Sequence, residues 1–299
     1  MEIRKLEQMF EVLRSKPKKR LVAAYANDDH TICAVNAAVK EGLIEATLIG
    51  DEKVIAEVCK AENIDINSFK VIHEPEDVKA ATKACDLINA GEADILMKGL
   101  INTDNLLRAI LDKENGILRP GHVLTHICMA EIPKYEKLLF FTDAAVIPIP
   151  SQAQRRQQIG YVNYVCHALG IEEPRISLIH CAEKVSEKTF PYTKDYLEII
   201  AEAQTGKFGR CIIDGPLDLK TSLDSVSLRE KGIRSAIDGQ ADALIFPDIV
   251  AGNVFYKTLT LFAYTKTAGV LQGTQCCCVL PSRADSPESK YYSLALAAI

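Results

Sequence analysis

The stretch VLPSRADSPESK, residues 279–290, sets Ser282, Arg283 and Asp285 between two apolar runs. CCCVL (276–280) reads as a short buried strand and YYSLALAAI (291–299) as helix-forming material. Ser286 reads as an N-cap and Pro287 as the first helical residue. Ser282 and Arg283 then fall just ahead of a helix N-terminus. Free backbone N–H groups and the helix dipole favour an anion there, and a guanidinium adds a two-pronged charge that suits phosphate. The same residues also fit a plain cap with a surface ion pair between Arg283 and Asp285. Both readings stand on these residues alone.

LMKGLINTDN (96–105) follows the same logic. A strand ends at Lys98 and Gly99, and Thr103 starts a helix. Gly99 admits close backbone approach, Lys98 brings a charge, and Thr103 caps the helix or contacts an anion. An ordinary strand-to-helix loop would use the same residues. IIDGPLDL (212–219) ends a strand with Asp214, Gly215 and Pro216, and FPDIVAGN (246–253) ends one with Asp248, Gly252 and Asn253. Neither the G-x-G-x-x-G spacing nor the Walker A spacing occurs, which weighs against dinucleotide-binding and P-loop chemistry. His122 and His126 lie in a segment that reads as a strand. Four strand residues span roughly 13 Å, too far for two ligands of one metal, so both are read as structural.

The elements that must carry these turns alternate. Strands are expected at 21–26, 45–50, 69–73 and 93–99, with helices at 31–42, 53–63, 76–92 and 103–113. The strands are continuous apolar runs, the pattern of a parallel sheet covered on both faces. Runs at 122–132 and 137–146, separated by PKYE, suit an antiparallel pair and mark a domain change. Ser151 and Gln154 form a capping box for a helix over 151–170. Alternation resumes through 175–180, 192–206, 210–214, 227–237, 241–248 and a helix over 252–266. In open α/β sheets ligands bind where strands end and helices begin, which makes the turns above the places to look.

The whole composition bounds the partners. The chain has 299 residues, 48% hydrophobic and 25% charged, with 35 basic and 40 acidic residues and a net charge of −5. KPKKR (16–20) is the one dense basic run and reads as a solvated turn, so no nucleic-acid partner is expected. No apolar run approaches the ~18 residues of a membrane span. The N-terminal residues read as an amphipathic helix with Ile3, Leu6, Phe10 and Leu13 on one face, not as a secretory leader. The ten cysteines show no C-x-x-C pair and sit mostly in apolar runs, as reduced core residues of a cytoplasmic protein would.

Taken together, these turns resemble the phosphate acyltransferase family, its butyryl-transferring members most of all. The resemblance runs through ILMKGLINTDNLLRAIL, LLFFTDAAV, HALGIEEPRISLI, IIDGPLDL, FPDIVAGNVFYK and LPSRADSPESKYYSLALAA, in family order from about residue 93 onward. The earlier residues match in α/β rhythm only. The resemblance implies an α/β fold of two α/β/α lobes with mostly parallel sheets and a cleft between them, like isocitrate and isopropylmalate dehydrogenases. Residues 1–127 with 277–299 would form one lobe and 128–276 the other. It implies interconversion of acyl-CoA plus phosphate with acyl phosphate plus CoA, with a coenzyme A thioester as substrate, no bound cofactor, no metal, and a homodimer or higher homo-oligomer. Carried onto this chain, Ser282, Arg283 and Asp285 would be catalytic. Lys98, Gly99, Thr103, Asp143, Asp214, Gly215 and Asn253 would bind substrate.

Two positions depart from the family pattern. Acetyl-transferring relatives carry an aspartate, proposed as a base, seven residues after the motif serine, where this chain has Ser289. Lys220 replaces a common aspartate after GPLDL. Acetyl or branched acyl specificity is the near alternative. A metal-dependent decarboxylating hydroxyacid dehydrogenase and a non-catalytic CoA or acyl phosphate sensor are the remote ones.

Overall fold

The computed structural model describes residues 2–281 and 285–299. The chain divides into two compact units. One comprises Glu7–Leu124 and Thr267–Ile299; the other takes residues up to Leu6 together with Thr125–Lys266.

Elements run in chain order as α1 (Gln8–Leu13), β1 (Lys19–Ala24), α2 (Asp29–Lys40), β2 (Ile44–Gly50), α3 (Glu52–Ala61), β3 (Lys70–His73), α4 (Asp77–Asn89), β4 (Ile95–Lys98) and α5 (Thr103–Ile110). There follow β5 (Thr125–Glu131), β6 (Leu138–Thr142), α6 (Gln152–Ala168), β7 (Arg175–Ile179), α7 (Tyr192–Gln204), β8 (Ile212–Leu217), α8 (Leu219–Leu223) and α9 (Ser225–Glu230). The chain closes with β9 (Ala243–Ile245), α10 (Ile249–Phe262), β10 (Lys266–Gln272), β11 (Cys277–Val279) and α11 (Pro287–Ala298).

In the unit containing both termini of the described helices, the strand order is β3-β2-β1-β4-β11-β10. All pairs are parallel except β10 with β11. Parallel pairing puts the carboxyl ends of β1, β4 and β11 on one edge. Leu21, Val22, Ala23, Ile95, Leu96, Met97, Cys278 and Val279 are all buried, as strands packed on both faces require. At the other edge the Arg20 guanidinium grips Asp94 through two bonds of 2.9 and 2.7 Å and holds its carboxyl down to about 2. The helix α11 packs on α2 and β11, burying Tyr292, Leu294, Ala295 and Ala298. Each such leucine contributes about 2 kcal/mol. Phe10 of α1 stacks on Tyr291, ring centroids 4.6 Å apart.

The second unit orders its strands β5-β6-β9-β7-β8, with β5 and β6 antiparallel and the rest parallel. Its core joins Phe141, Leu244, Phe246 and Leu259 with neighbours from β5, β7 and β8. Ser151 and Gln154 form the expected capping box, with bonds of 3.3 and 2.9 Å.

Several boundaries differ from the sequence reading for identifiable reasons. The helix α10 starts three residues earlier than expected, because Asp248 caps it by accepting from the Ala251 N–H at 2.9 Å. It stops at Phe262 rather than 266, and Tyr264 takes a positive φ of 48° before β10 begins. The expected helix over 227–237 shortens to α9, capped by Asp224 and ended before Gly232 at φ 64°. The N-terminal segment is not one helix. Ile3 and Leu6 are buried apart from α1, with the Ile3 N–H on the Leu169 carbonyl and the Leu6 N–H on Glu131 Oε2. Strand β5 starts at Thr125, which leaves His122 in the loop before it. The cysteines are not uniformly core. Five are buried, four half-buried, and Cys181 is exposed. No helix of the described residues is long and apolar enough to cross a membrane.

Candidate active site

Three turns meet at the carboxyl edge of β1, β4 and β11. Their meeting is set by backbone contact. The Gly99 N–H donates to the Ala24 carbonyl at 2.9 Å and the Leu100 N–H to the Tyr25 carbonyl at 2.8 Å. A Cβ on Gly99 would lie 2.2 Å from the Tyr25 oxygen, so only glycine lets the turn after β4 lie against the turn after β1. The close approach that the sequence assigns to a ligand is therefore made to Tyr25. Its effect is to bring Asp28–Thr31 beside Lys98.

Together these turns enclose a pocket of about 300 Å³. Asp28, His30, Lys98, Gly99, Pro281 and Lys290 are among its walls. Asp28 caps α2, accepting from the Thr31 N–H at 2.9 Å, and Asp29 accepts from the His30 N–H at 2.8 Å. Lys98 and Lys290 are only 4% and 5% exposed. The Lys98 Nζ donates to the Gly99 carbonyl at 3.4 Å. Lys290 makes no ion pair within 4.0 Å of any carboxylate among the described residues. Asp28 and Asp29 share the wall with the two lysines, and the Asp28 Oδ2 is buried without a hydrogen-bond partner among the described residues, so the pocket carries charges of both signs.

Ser282 and Arg283, the sequence's first candidates, lie outside the described residues. Pro281, immediately before them, lines the pocket, and Asp285 is half-buried just after them. Ser286 caps α11 as expected, accepting from the Ser289 N–H at 3.1 Å, with Pro287 at the first helical position. Ser289, where relatives carry an acid, shares a 3.0 Å hydrogen bond with the Thr267 hydroxyl. Thr103 is not the cap of α5. Asn102 holds that position without a side-chain bond, and Thr103 is exposed at the first helical residue, off the pocket wall.

The remaining candidates lie in the other unit, where the side chains of Asp143, Asp214 and Asn253 make hydrogen bonds. Asp143 is buried, its Oδ1 accepting from the N–H groups of Ala145 and Val146 at 2.8 and 2.9 Å. Its Oδ2 accepts from Thr125 Oγ1 at 2.7 Å and the Ile147 N–H at 3.1 Å. Asn253 donates to the Ala144 carbonyl at 2.9 Å, which docks the start of α10 on that turn. Asp214 accepts from the Gly215 N–H, Ser235 Oγ and the Ala236 N–H at 2.8, 2.6 and 2.9 Å. Gly215, at φ 155°, runs so close to Leu178 that a Cβ would lie 2.7 Å from it.

Two parts of the pocket were missed from sequence. The turn ANDDHT (26–31) carries the same capping signal as the turns singled out. Lys290 hid at the start of an apolar helix. Its spacing to Leu294, Ala297 and Ala298 puts it on the buried face, a signal that was available.

Comparison with known proteins gives a consistent result. The family described as "Phosphate acetyl/butaryl transferase" matches residues 5–83 and 74–298. A phosphate butyryltransferase of Clostridium acetobutylicum is 38% identical over 297 residues, 99% of this chain and 98% of the relative. A phosphate acetyltransferase of Thermotoga maritima is 36% identical over 98% of this chain and 99% of the relative. The crystal structure of a branched-chain phosphotransacylase from Enterococcus faecalis V583 superposes with a TM-score of 0.80 at 30% identity, covering 93% of this chain and 97% of that one.

Proposed function

Because the chain belongs to the phosphate acetyl/butaryl transferase family, we propose that it interconverts acyl-CoA and phosphate with acyl phosphate and free CoA, butyryl-CoA being its main acyl donor. The observation that carries this is the full-length match to a phosphate butyryltransferase. A pocket beside Pro281 carries Lys98 and Lys290, with Asp28 and Asp29, on its wall.

A phosphate oxygen attacks the thioester carbonyl carbon. The C–O bond forms, the C–S bond breaks, and sulfur leaves as thiolate and takes up a proton. Nothing is oxidised or reduced. Phosphate is nucleophilic and the thiolate a fair leaving group, so positioning and charge stabilisation supply most of the acceleration. In this reading Arg283 and Lys98 orient phosphate, with Gly99 and Thr103 on the same turn. Ser282 donates to the developing oxyanion or thiolate. Asp285 takes the thiol proton in the reverse direction. Asp143, Asp214, Gly215 and Asn253, on turns of the second unit, are the further candidates for substrate binding. Acyl transfer through a cysteine is disfavoured next to the motif. Burial pushes the Cys277 thiol up, and a hydrogen bond to Cys276 with burial raises Cys278, so neither supplies a thiolate at neutral pH.

The protein acts in the cytoplasm, the reducing compartment that ten unpaired cysteines suit. It assembles with copies of itself. Val250, Val254 and Leu261 share one face of α10 and are 67%, 59% and 72% exposed, an apolar stripe of the kind self-association covers. Sedimentation velocity showing only monomer at micromolar concentration would remove that part.

The deciding assay follows thiol release from acetyl-, propionyl-, butyryl- and isobutyryl-CoA with phosphate. The highest kcat/KM is expected for butyryl-CoA. Faster acetyl or branched transfer would change the substrate and keep the reaction. No thiol release from any donor would overturn the transferase.

A further inference from the structure

We propose that Cys181 is a thiol-modification site, where His180 serves as base and a low-molecular-weight disulfide, such as that of CoA or glutathione, exchanges to leave a mixed disulfide on the chain. The proposal goes beyond the transferase reading and stands apart from it.

Three side chains on the loop and helix after β7 form a relay. The Cys181 Sγ lies 3.8 Å from His180 Nε2. The other ring nitrogen, Nδ1, is held at 2.8 Å from the Tyr192 hydroxyl. Phe190 and Tyr192 meet the imidazole in T-shaped contacts, with centroids 4.7 and 5.6 Å away, and His180 is buried. A nucleophile, a base within its reach and a third group that orients the base is the arrangement that activates a cysteine. Burial holds the His180 imidazole below its ordinary value, opposed by the Glu183 carboxylate, so the ring is neutral at neutral pH. With Nδ1–H donating to the Tyr192 oxygen, the Nε2 lone pair faces the thiol and accepts its proton.

Exposure separates this pair from the other thiols. Cys128 also pairs with a histidine, its Sγ 3.3 Å from His126 Nδ1, but it is 1% exposed and no disulfide reaches it. Burial raises the thiols of Cys85, Cys166 and Cys211, and burial with Glu62 raises Cys33. Cys181 is the exposed one of the ten. A reactive thiol needs a route to thiolate and an open approach together, and both meet at Cys181.

The step balances with the disulfide as its own oxidant. The Cys181 S–H proton passes to His180 Nε2, and the sulfur attacks one sulfur of the disulfide. A new S–S bond forms as the old one breaks. The Cys181 sulfur is oxidised, and the departing sulfur is reduced and leaves as a thiolate that takes the proton from Nε2.

The experiment incubates the reduced native chain at neutral pH with CoA disulfide in one arm and glutathione disulfide in the other. Intact mass follows adduct formation, and peptide mapping locates it. One adduct per chain is expected, on Cys181, removed by dithiothreitol and missing from Cys181→Ser. His180→Gln should slow its formation roughly tenfold, since an unassisted thiol is only a few per cent thiolate at neutral pH. Tyr192 is a positioning residue, so Tyr192→Phe, which keeps the ring and frees Nδ1, should slow the exchange severalfold in folded protein. Faster reaction with CoA disulfide would assign the site to CoA, and equal rates would assign it to small disulfides as a class; both support the site. An adduct formed first on another cysteine, or an unchanged rate in His180→Gln, would overturn it. Should His180→Gln fail to fold, N-acetylcysteine under the same conditions is the reference. A native chain that reacts no faster than this free thiol would overturn the proposal.

Discussion

Two buried cations sit in different units of this molecule and are treated in opposite ways. Arg155, on α6, is 1% exposed. Its guanidinium carbon lies 5.2 Å from the Tyr196 ring centroid and 5.7 Å from that of Tyr192, and Nη2 donates to the Pro247 carbonyl at 3.3 Å. The two phenols are held in turn, Tyr196 on the Ile179 carbonyl at 2.9 Å and Tyr192 against His180 Nδ1 at 2.8 Å. Aromatic faces cover the guanidinium, while its Nε and Nη1 are buried without a hydrogen-bond partner among the described residues. Lys290 has no such lid. Its charge meets a pocket. One buried cation is covered by protein, and the other stands on the wall of a cavity.

The largest test of that contrast removes the closed-over charge. Arg155→Ala leaves a cavity between α6 and the tyrosines and deletes the cation–π contacts. It should lower unfolding free energy by about 3 kcal/mol. Arg155→Met, which fills the space without a charge to desolvate, should cost about 1 kcal/mol or less. Neither should change the phosphate KM of the folded fraction. Chemical denaturation paired with steady-state kinetics checks both, and a phosphate KM raised tenfold in Arg155→Met would put Arg155 in the site and erase the contrast.

The second test works from the pocket side. Arg283→Ala should raise the phosphate KM about 100-fold while the melting temperature holds within ~2 °C. Arg283→Lys should rescue partly, because a point charge cannot replace a planar fork. An unchanged phosphate KM would return the SRAD turn to simple helix capping.

The contrast also explains what could be read from sequence. Alternation of continuous apolar runs identified β1, β2, β4, β7 and their following helices, because burial on both faces leaves a pattern needing no partner to recognise. Caps were equally legible: Ser151 and Ser286 perform the roles their positions suggest. Roles of acidic side chains were not. Asp143 and Asp214 stand at strand ends as ligand-binding residues do, and only the structure shows that they also accept hydrogen bonds from Ala145, Val146, Ser235 and Ala236. Strand β10 was lost because helix-like composition runs on past Phe262, and the break is a backbone event at Tyr264. Lys290 was legible but overlooked, since its spacing to Leu294, Ala297 and Ala298 already puts it on the buried face of α11.

The smallest expected effect concerns Asp218, another acid of the second unit whose partners are all internal. It caps α8 through the Thr221 N–H at 2.6 Å and pairs with Lys231 Nζ at 2.6 Å. Burial alone would raise its carboxyl, but the Lys231 ammonium and the Thr221 N–H and hydroxyl outweigh that and hold it down to about 2, against an ordinary 3.8. The folded state therefore binds this proton less readily than the unfolded chain. Its stabilisation is complete above pH about 3.8 and is lost as pH falls towards 2. Lys231 is partly solvated, so screening limits the contribution to about 1–2 kcal/mol. Asp218→Asn should cost that much at pH 7 and progressively less below pH about 4, with the two proteins converging near pH 2. The phosphate KM should stay unchanged at neutral pH, since the pair serves the turn and not a ligand. Urea unfolding from pH 7 to pH 2.5 measures it. A stability gap that persists undiminished into acid would mean that shape rather than charge holds α8, and a shifted phosphate KM would move this acid to the pocket's side of the comparison.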